Sequence, residues 1–440
     1  MGWIVIEKKQ YTAAIYTLGC KVNFYESEAI AEALSRKGVE IREFDEICDI
    51  YIINTCTVTA DSDKKALRII RRAVNKNPAA FIAVTGCLAQ MKPELISRIK
   101  GVSLISGNED KISVAERILA AVSCENREAT VCILPFTDTL SDVSIDAFQR
   151  TRAYIKIEDG CSSHCAYCII PKARGPVRSK PREVILREVE ALVRGGCKEI
   201  VLTGIEISSY QFDIIVLLSE LDRLEGLERI RLGSLDPFFI RREICDAFRQ
   251  VKKLCPHFHI SLQSGSSKIL ASMRRKYNSA TAMEHILYLK SVFPDCNLFA
   301  DVITGFPGET EEDFLETVRF IEKVRFLHLH IFPYSQRAGT EAAEMSGQVP
   351  PLIKKRRATQ LAEIQASIKA SILTDFVCSG RKANVLFETW KDGILKGHSD
   401  NFIEFSCSAN QNLRGMTGTV VPISTDGEII TGYLLSSSSS

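Results

Sequence analysis

The sequence predicts an α/β protein in three parts: an amino-terminal open parallel α/β domain, a partial (β/α)6 barrel, and a small carboxy-terminal β-barrel. Three observations predict it. Short apolar runs alternate with helix-like stretches through residues 1–125. The same alternation returns six times between 150 and 368. After Gly380 the pattern changes to short strand-like runs punctuated by Gly393, Gly397, Gly415 and Gly427. Strands that alternate with helices across short loops build parallel sheets, whereas short strands with glycine turns close into barrels.

In the first part the expected strands are Ala13–Leu18, Ile50–Ile53, Phe81–Val84 and Val102–Ile105, with helices over Glu26–Lys37, Lys64–Asn75 and Pro93–Ile99. Residues 126–149 lack a clear period, carry Pro135 and Asp, Ser and Thr residues, and are expected to be a linker. The barrel strands are expected at Tyr154–Ile157, Glu199–Thr203, Arg229–Gly233, His257–Leu262, Leu298–Thr304 and Phe326–Phe332. Helices such as Arg182–Arg194 and Thr310–Val324 separate them, and Thr310-Glu311-Glu312-Asp313 is a capped start. Pro350 and Pro351 precede a long helix over Lys354–Phe376. Strands over Asn384–Glu388, Phe402–Ser406, Gly418–Ile423 and Ile429–Leu434 then form the small barrel within 369–435, and Ser436–Ser440 read as a disordered tail.

The chain has 440 residues, 45% hydrophobic and 25% charged, with a formal net charge of +2. That length buries ample core, and so small a net charge announces no nucleic-acid partner globally. Fifteen cysteines without a signal-peptide pattern favour a reducing compartment and metal chemistry over a disulfide framework. No window approaches a membrane span, so a soluble cytoplasmic protein is expected.

The cysteines carry the chemistry. Cys161-Ser162-Ser163-His164-Cys165-Ala166-Tyr167-Cys168 places three of them, spaced C-x3-C-x2-C, in a loop after a barrel strand. Three thiolates can hold three corners of a cubane iron–sulfur cluster and leave one iron open. A structural zinc site wants four ligands, and the fourth candidate nearby is His164 within the loop. A trio of buried structural cysteines is the third reading. With Tyr167 at the aromatic place, the motif resembles the signature of radical S-adenosylmethionine (SAM) enzymes. That resemblance implies SAM on the open iron, cleaved by an electron from the cluster to a 5′-deoxyadenosyl radical.

Three more cysteines each follow a strand: Cys20 in Leu18-Gly19-Cys20, Cys56 in Asn54-Thr55-Cys56 and Cys87 in Thr85-Gly86-Cys87. Carboxyl ends of parallel strands share one edge, where ligands bind, so these thiols can converge; burial as small hydrophobes is the alternative. Thr17-Leu18-Gly19-Cys20-Lys21-Val22-Asn23, Asn54-Thr55-Cys56-Thr57-Val58 and Val84-Thr85-Gly86-Cys87 resemble the amino-terminal motifs of the methylthiotransferases, and the resemblance covers nearly the whole chain. It implies two [4Fe–4S] clusters: one on Cys161, Cys165 and Cys168 that binds SAM, and an auxiliary one on Cys20, Cys56 and Cys87 that carries sulfur. It also implies a radical SAM core, an RNA-binding TRAM-like barrel at the carboxy terminus, a tRNA substrate, an electron donor of flavodoxin or ferredoxin type, and a sulfur donor. The activity implied is replacement of an unactivated C–H by C–S–CH3.

Other stretches match the SAM-holding parts of that family's core. These are Leu202-Thr203-Gly204-Ile205-Glu206, Ser261-Leu262-Gln263-Ser264-Gly265, and Asp301-Val302-Ile303-Thr304-Gly305-Phe306-Pro307-Gly308-Glu309. Strand ends of a β/α barrel face its active site. Tyr167, Gly204, Glu206, Gln263, Asp301, Pro307 and Glu309 are therefore the expected cofactor contacts, with a plain turn at Gly305–Gly308 as the alternative. His328 and His330 alternate on the last strand and read as packed or solvated, since two histidines without a further ligand make a poor metal site.

Between Arg150 and Arg182 stand eight basic residues, among them Lys172, Arg174 and Arg178, against Glu158 and Asp159. They suit RNA phosphates around the SAM loop. Lys64, Arg68, Arg71 and Arg72 share one helix face, opposite Ala66, Ile69, Ile70 and Ala73, and are read either as a second phosphate stripe or as a solvated face. From Lys369 to Glu428 six basic residues meet seven acids, so the terminal barrel is not the main phosphate grip.

Ile169-Ile170-Pro171-Lys172-Ala173-Arg174-Gly175-Pro176-Val177-Arg178-Ser179 and Gly397-His398-Ser399-Asp400-Asn401-Phe402 resemble the branch acting on N6-threonylcarbamoyladenosine at position 37 of tRNA. The isopentenyladenosine branch and the ribosomal-protein aspartate branch are the alternatives. The loop Glu206–Asp213 is shorter than the family pattern and lacks its glycine after Tyr210. A non-catalytic iron–sulfur RNA-binding protein and a zinc structural module are the readings from other classes.

Overall fold

The computed structural model describes residues 10–123, 129–140, 143–148 and 150–435. The serine tail and the first nine residues lie outside the described residues. Two compact units make up the chain: the first comprises 1–147, 159–162 and 169–178, and the second 148–158, 163–168 and 179–440.

The first unit is built on strands β1 (Thr12–Thr17), β2 (Glu40–Arg42), β3 (Ile50–Thr55), β4 (Phe81–Gly86), β5 (Val102–Ser106) and β6 (Thr130–Cys132). They form one six-stranded sheet in the order β2-β1-β3-β4-β5-β6, with every pairing parallel. β3, β4 and β5 are buried along their whole length, as continuous apolar runs between helical layers should be. The sequence did not mark β2 or β6, which are three residues each. β6 falls inside the expected linker, where Thr130–Cys132 pair with Leu104–Ser106. The order reverses between β1 and β3, and such a switch point opens a crevice at the carboxyl ends of the strands.

In the second unit the six expected barrel strands are β7 (Ala153–Lys156), β8 (Glu199–Thr203), β9 (Arg229–Leu232), β10 (His257–Gln263), β11 (Asn297–Thr304) and β12 (His328–Pro333). They lie in two parallel sheets, β9-β8-β7 and, through the short strand Ser234–Leu235, β10-β11-β12. Side chains alternate along them. Phe258, Ile260 and Leu262, with Leu298, Ala300 and Val302, are buried. The intervening His257, His259, Phe299, Asp301, His328 and His330 share the other face.

The carboxy-terminal strands β13 (Ala383–Lys391), β14 (Ile394–Ser399), β15 (Glu404–Ser408), β16 (Thr417–Thr425) and β17 (Ile430–Leu434) close into a barrel in the order β13-β14-β15-β17-β16. β14 was not expected. Asp392 and Gly393 both have positive φ, 51° and 75°, the two-residue turn that Asp-Gly favours between antiparallel strands. The barrel core of Val385, Phe387, Leu395, Phe405, Val420 and Ile430 packs on Leu373 and Phe376, at the end of the helix Pro351–Cys378.

A buried ion cluster ties this barrel to β8 and β9. Glu199 accepts from Arg231 Nε at 2.7 Å, Arg152 Nε at 2.6 Å and Arg229 Nη1 at 3.3 Å. Arg231 also donates to Ser399 O and Asp400 O and lies 4.7 Å from the Phe402 ring centroid. Although burial alone would raise it, the three guanidiniums hold the Glu199 carboxyl down at about 2.

Candidate functional site

Cys20, Cys56 and Cys87 stand at the carboxyl ends of β1, β3 and β4, at the switch point of the first unit's sheet. The glycine before Cys20 and the one before Cys87 explain the local sequence. Gly19 has φ +107°, and a Cβ there would lie 3.0 Å from Cys56 Cβ and 3.3 Å from its Sγ. Gly86 has φ +97°, and its Cβ would lie 2.4 Å from Thr55 O. Only glycine permits both the left-handed backbone and the approach that brings the cysteine loops together. Burial pushes the Cys56 thiol up to about 12, with Cys87 and Cys20 adding to the rise. The donor set fits an iron–sulfur cluster: three thiols from three loops of one edge, leaving one corner to a non-protein ligand.

Buried polar groups surround these thiols, and the sequence reading missed Asn108 and Lys111 among them. Asn23 Nδ2 donates to Leu18 O and Thr55 O, tying the first two cysteine loops together. Asn108 Nδ2 lies 3.5 Å from Cys87 Sγ and 2.8 Å from Ala173 O. Arg174 binds Glu26 and Asp159 at 2.9 Å each. Lys111 Nζ reaches Thr85 Oγ1 at 2.7 Å and lies 3.8 Å from Glu26. The available signal was the placement of Asn23 and Glu26 three and six residues after Cys20, one face of the helix Lys21–Ser35.

This corrects the expectation for two arginines. Arg174 is 0% exposed and Arg178 1%, Arg178 being paired with Glu109, so neither reaches RNA phosphate. Lys156 and Lys180 are buried as well, and Lys180 is bound to Glu188 at 2.6 Å. Four of the eight basic residues around the SAM loop are thus internal, and Arg174, Arg178 and Lys180 among them are paired with acids. Lys172 is exposed. Lys64, Arg68, Arg71 and Arg72 are exposed on the helix Ala60–Lys76, whose Ala66, Ile69, Ile70 and Ala73 are buried. Lys64 lies 3.6 Å from Asp61, and Arg72 pairs with Asp45.

Cys161 belongs to the first unit, where its N–H donates to Gly175 O at 3.0 Å. Cys165 and Cys168 belong to the second. There Ala166 N donates to Met273 O, and Ala166 O accepts from Ala342 N. Tyr167 packs against the cluster of Ile269, Met273, Ile303, Phe306 and Tyr334. Arg275 Nη1 lies 3.4 Å from Cys165 Sγ and its Nη2 donates to Asp236 at 2.6 Å. The run Arg274-Arg275-Lys276 looks like any solvated charge run in sequence, so nothing marked Arg275.

Gly204 and Glu206 follow β8. A Cβ on Gly204 would lie 2.4 Å from Glu158 Oε2, and the same oxygen accepts from Glu206 N at 2.9 Å. Burial and nearby Asp236 push the Glu206 carboxyl up to about 7. Its Oε1 is buried without a hydrogen-bond partner among the described residues. An acceptor so placed fits the ammonium group of SAM, which would satisfy it. The short loop closes compactly: Ile207–Ser209 make one 3-10 turn, Tyr210 OH donates to Lys180 O, and Asp213 caps the helix Ile214–Asp222.

Gln263 ends β10 with φ 67°, a left-handed conformation costly for a side-chain-bearing residue and frequent at binding sites. Pro307 is buried in the loop after β11. Glu309 Oε2 accepts from Gly305 N at 2.6 Å and from Arg357 Nη1 at 2.5 Å. That carboxylate oxygen braces the loop on the helix Pro351–Cys378. Asp301 stands beside His259, Nε2 to Oδ1 3.0 Å.

Residues 155–321 match the Radical SAM superfamily, and residues 12–107 match a family described as Uncharacterized protein family UPF0004. The chain is 38% identical over 418 residues to the threonylcarbamoyladenosine tRNA methylthiotransferase MtaB of Bacillus subtilis (strain 168), with 92% of each protein covered. It belongs to the radical SAM methylthiotransferase family. This methylthiotransferase is also 37% identical to the Thermotoga maritima protein of the same name, covering 91% of its own chain and 92% of that relative. It is 35% identical to the tRNA-2-methylthio-N(6)-dimethylallyladenosine synthase of Acetivibrio thermocellus, covering 87% and 81%. Among solved structures, the radical SAM methyltransferase TsrM of Kitasatospora setae matches with a TM-score of 0.57 at 14% identity, over 76% of this chain and 74% of TsrM, which establishes a shared fold. As a radical SAM enzyme the methylthiotransferase works with a [4Fe–4S] cluster and SAM. No helix among its described residues is long and apolar enough to cross a membrane.

Proposed function

We propose that this methylthiotransferase converts N6-threonylcarbamoyladenosine at position 37 of tRNA to its 2-methylthio form. Two cysteine triads are assigned to two [4Fe–4S] clusters: Cys161, Cys165 and Cys168 for the SAM-binding one, and Cys20, Cys56 and Cys87 for the auxiliary one. With SAM bound, the first supplies one-electron chemistry able to open an unactivated C–H bond, which no acid or base attacks near neutral pH. A cluster held by Cys20, Cys56 and Cys87 would carry the sulfur, and SAM would supply the methyl group. A flavodoxin- or ferredoxin-type donor brings electrons, and a separate donor replenishes sulfur.

The observation that carries this reading is the convergence of Cys20, Cys56 and Cys87 at one sheet edge, in a chain whose relatives at 37% and 38% identity are named for threonylcarbamoyladenosine. Within the chain, Glu206 takes the SAM amino group, and Gln263 and Pro307 line the cofactor. The exposed Lys64, Arg68, Arg71 and Lys172 contact tRNA phosphates, and the closed terminal barrel reads RNA by shape. The relative named for dimethylallyladenosine, at 35% identity, supplies the second reading, with an isopentenyl nucleoside as substrate. Nucleoside mass spectrometry of tRNA from a host without methylthiotransferases, with and without this gene, separates them. Appearance of 2-methylthio-threonylcarbamoyladenosine supports the proposal, and the methylthio-isopentenyl nucleoside replaces it with the second reading.

A further inference from the structure

The barrel strands carry a second group of potential ligands that the cysteine chemistry does not use. His259 on β10, Asp301 on β11 and His330 on β12 occupy one face of three adjacent strands. One imidazole nitrogen or carboxylate oxygen from each lies within 4.8 Å of the others. Asp301 and His330 are register partners. The His259 and His330 ring centroids are 5.1 Å apart. From sequence, His330 had only His328 beside it; the fold supplies an imidazole and a carboxylate from two other strands.

The geometry of the pair His259–Asp301 is informative. Nε2 and Oδ1 are 3.0 Å apart, yet that nitrogen makes no hydrogen bond to any described residue. His259 is only 8% exposed, so water does not generally serve it. The two atoms are close but out of line, the relation of two ligands aimed at a common third point. Neighbouring ligands about 2.1 Å from a first-row metal stand about 3.0–3.4 Å apart. Beyond the ring, Ser234 Oγ stands 3.5 Å from His259 Nδ1, where an outer partner orients a ligating imidazole.

We propose that His259, Asp301 and His330 form a divalent metal site of the two-histidine, one-carboxylate type, separate from the cysteine triads. Such a set takes a borderline first-row cation such as Zn2+ or Fe2+ and leaves positions for water or a substrate oxygen.

The test uses the full chain with both clusters reconstituted. The protein is equilibrated with Zn2+, dialysed, and analysed for metal content and by X-ray absorption at the zinc edge, which iron does not obscure. The expected result is one retained Zn2+ per chain with nitrogen and oxygen neighbours at about 2.0–2.1 Å. Zn2+ affinity is expected to fall at least tenfold in Asp301→Asn and in His330→Gln, with iron content and circular dichroism unchanged. Absence of retained zinc in the wild-type protein, or a sulfur shell at about 2.3 Å, overturns the proposal. The wild-type spectrum alone decides should a variant fail to fold.

Discussion

Arg174 Nη1 and Glu26 Oε1 lie 2.9 Å apart with neither side chain exposed, although 148 residues separate them in sequence. The guanidinium also holds Asp159, and the helix bearing Glu26 begins directly after Cys20. A positive charge buried beside Cys20 and Cys87 therefore takes its place through acids from elsewhere in the chain. Removing it leaves Asp159 without this partner and Glu26 with Lys111 alone, 3.8 Å away, which costs about 3–5 kcal/mol. Arg174→Ala is expected to lower stability in urea by that amount and to lose iron from the Cys20, Cys56 and Cys87 site. Arg174→Lys is expected to keep tRNA affinity within about twofold while still weakening iron retention, because Lys cannot reproduce the forked contacts. Filter binding and iron analysis check both.

The exposed helix face behaves oppositely. Replacing Lys64, Arg68 and Arg71 by Ala removes charge without touching the core formed by Ala66, Ile69, Ile70 and Ala73. Stability is expected to change by less than about 0.5 kcal/mol. tRNA binding weakens, and the slope of log affinity against log salt falls by about 2–3 if each residue neutralises one phosphate. A salt titration of binding for wild type and triple variant measures it; an unchanged slope returns the helix face to a solvated surface.

Glu206 makes stability depend on pH. Its carboxyl is raised to about 7 in the folded protein, against about 4.3 in an unfolded chain. Between those values the folded state binds the extra proton, so folding stability is full below about 4.3 and declines as pH rises through 7. The decline is at most about 3.7 kcal/mol. Glu206→Gln is expected to flatten that part of the profile. In the wild type, SAM binding requires the ionised carboxylate, so affinity rises between pH 6 and 8 and loses this dependence in the variant. Calorimetric titration across that range checks it.

Glu199 neutralises Arg152, Arg229 and Arg231 where β8 and β9 meet the terminal barrel. Glu199→Ala leaves the buried Arg229 and Arg231 without their carboxylate, while Arg152 keeps Glu388, and is expected to cost about 3–5 kcal/mol. The carbonyl contacts to Ser399 and Asp400 weaken with it. Limited proteolysis is expected to release the segment after Gly380 faster than in wild type, with the amino-terminal unit intact.

The parallel strands were legible because apolar runs buried on both faces look alike in sequence and structure: Ile50–Ile53 and Phe81–Val84 are examples. So was the pairing of Gly19 with Cys20 and Gly86 with Cys87, where short motifs carry a backbone requirement. The short β2 and β6 have too few residues to show a period. β14 announces itself through Asp392-Gly393, a turn signal that joins two antiparallel strands. Charge was the least legible property. Arg174, Arg178 and Lys180 look like a basic surface until the fold brings Glu26, Asp159, Glu109 and Glu188 to them. Arg275 near Cys165, and His259 and Asp301 beside His330, depend on strand neighbours that sequence alone does not identify.

The most direct measurement is nucleoside mass spectrometry on tRNA carrying threonylcarbamoyladenosine at position 37, after incubation with the reconstituted protein, SAM, a low-potential reductant and a sulfur source. The account predicts 2-methylthio-threonylcarbamoyladenosine with the wild-type protein and none with Cys56→Ala, a variant that still cleaves SAM to 5′-deoxyadenosine. Cleavage of SAM by the wild type without any methylthio nucleoside, on this tRNA with its clusters intact, would contradict it.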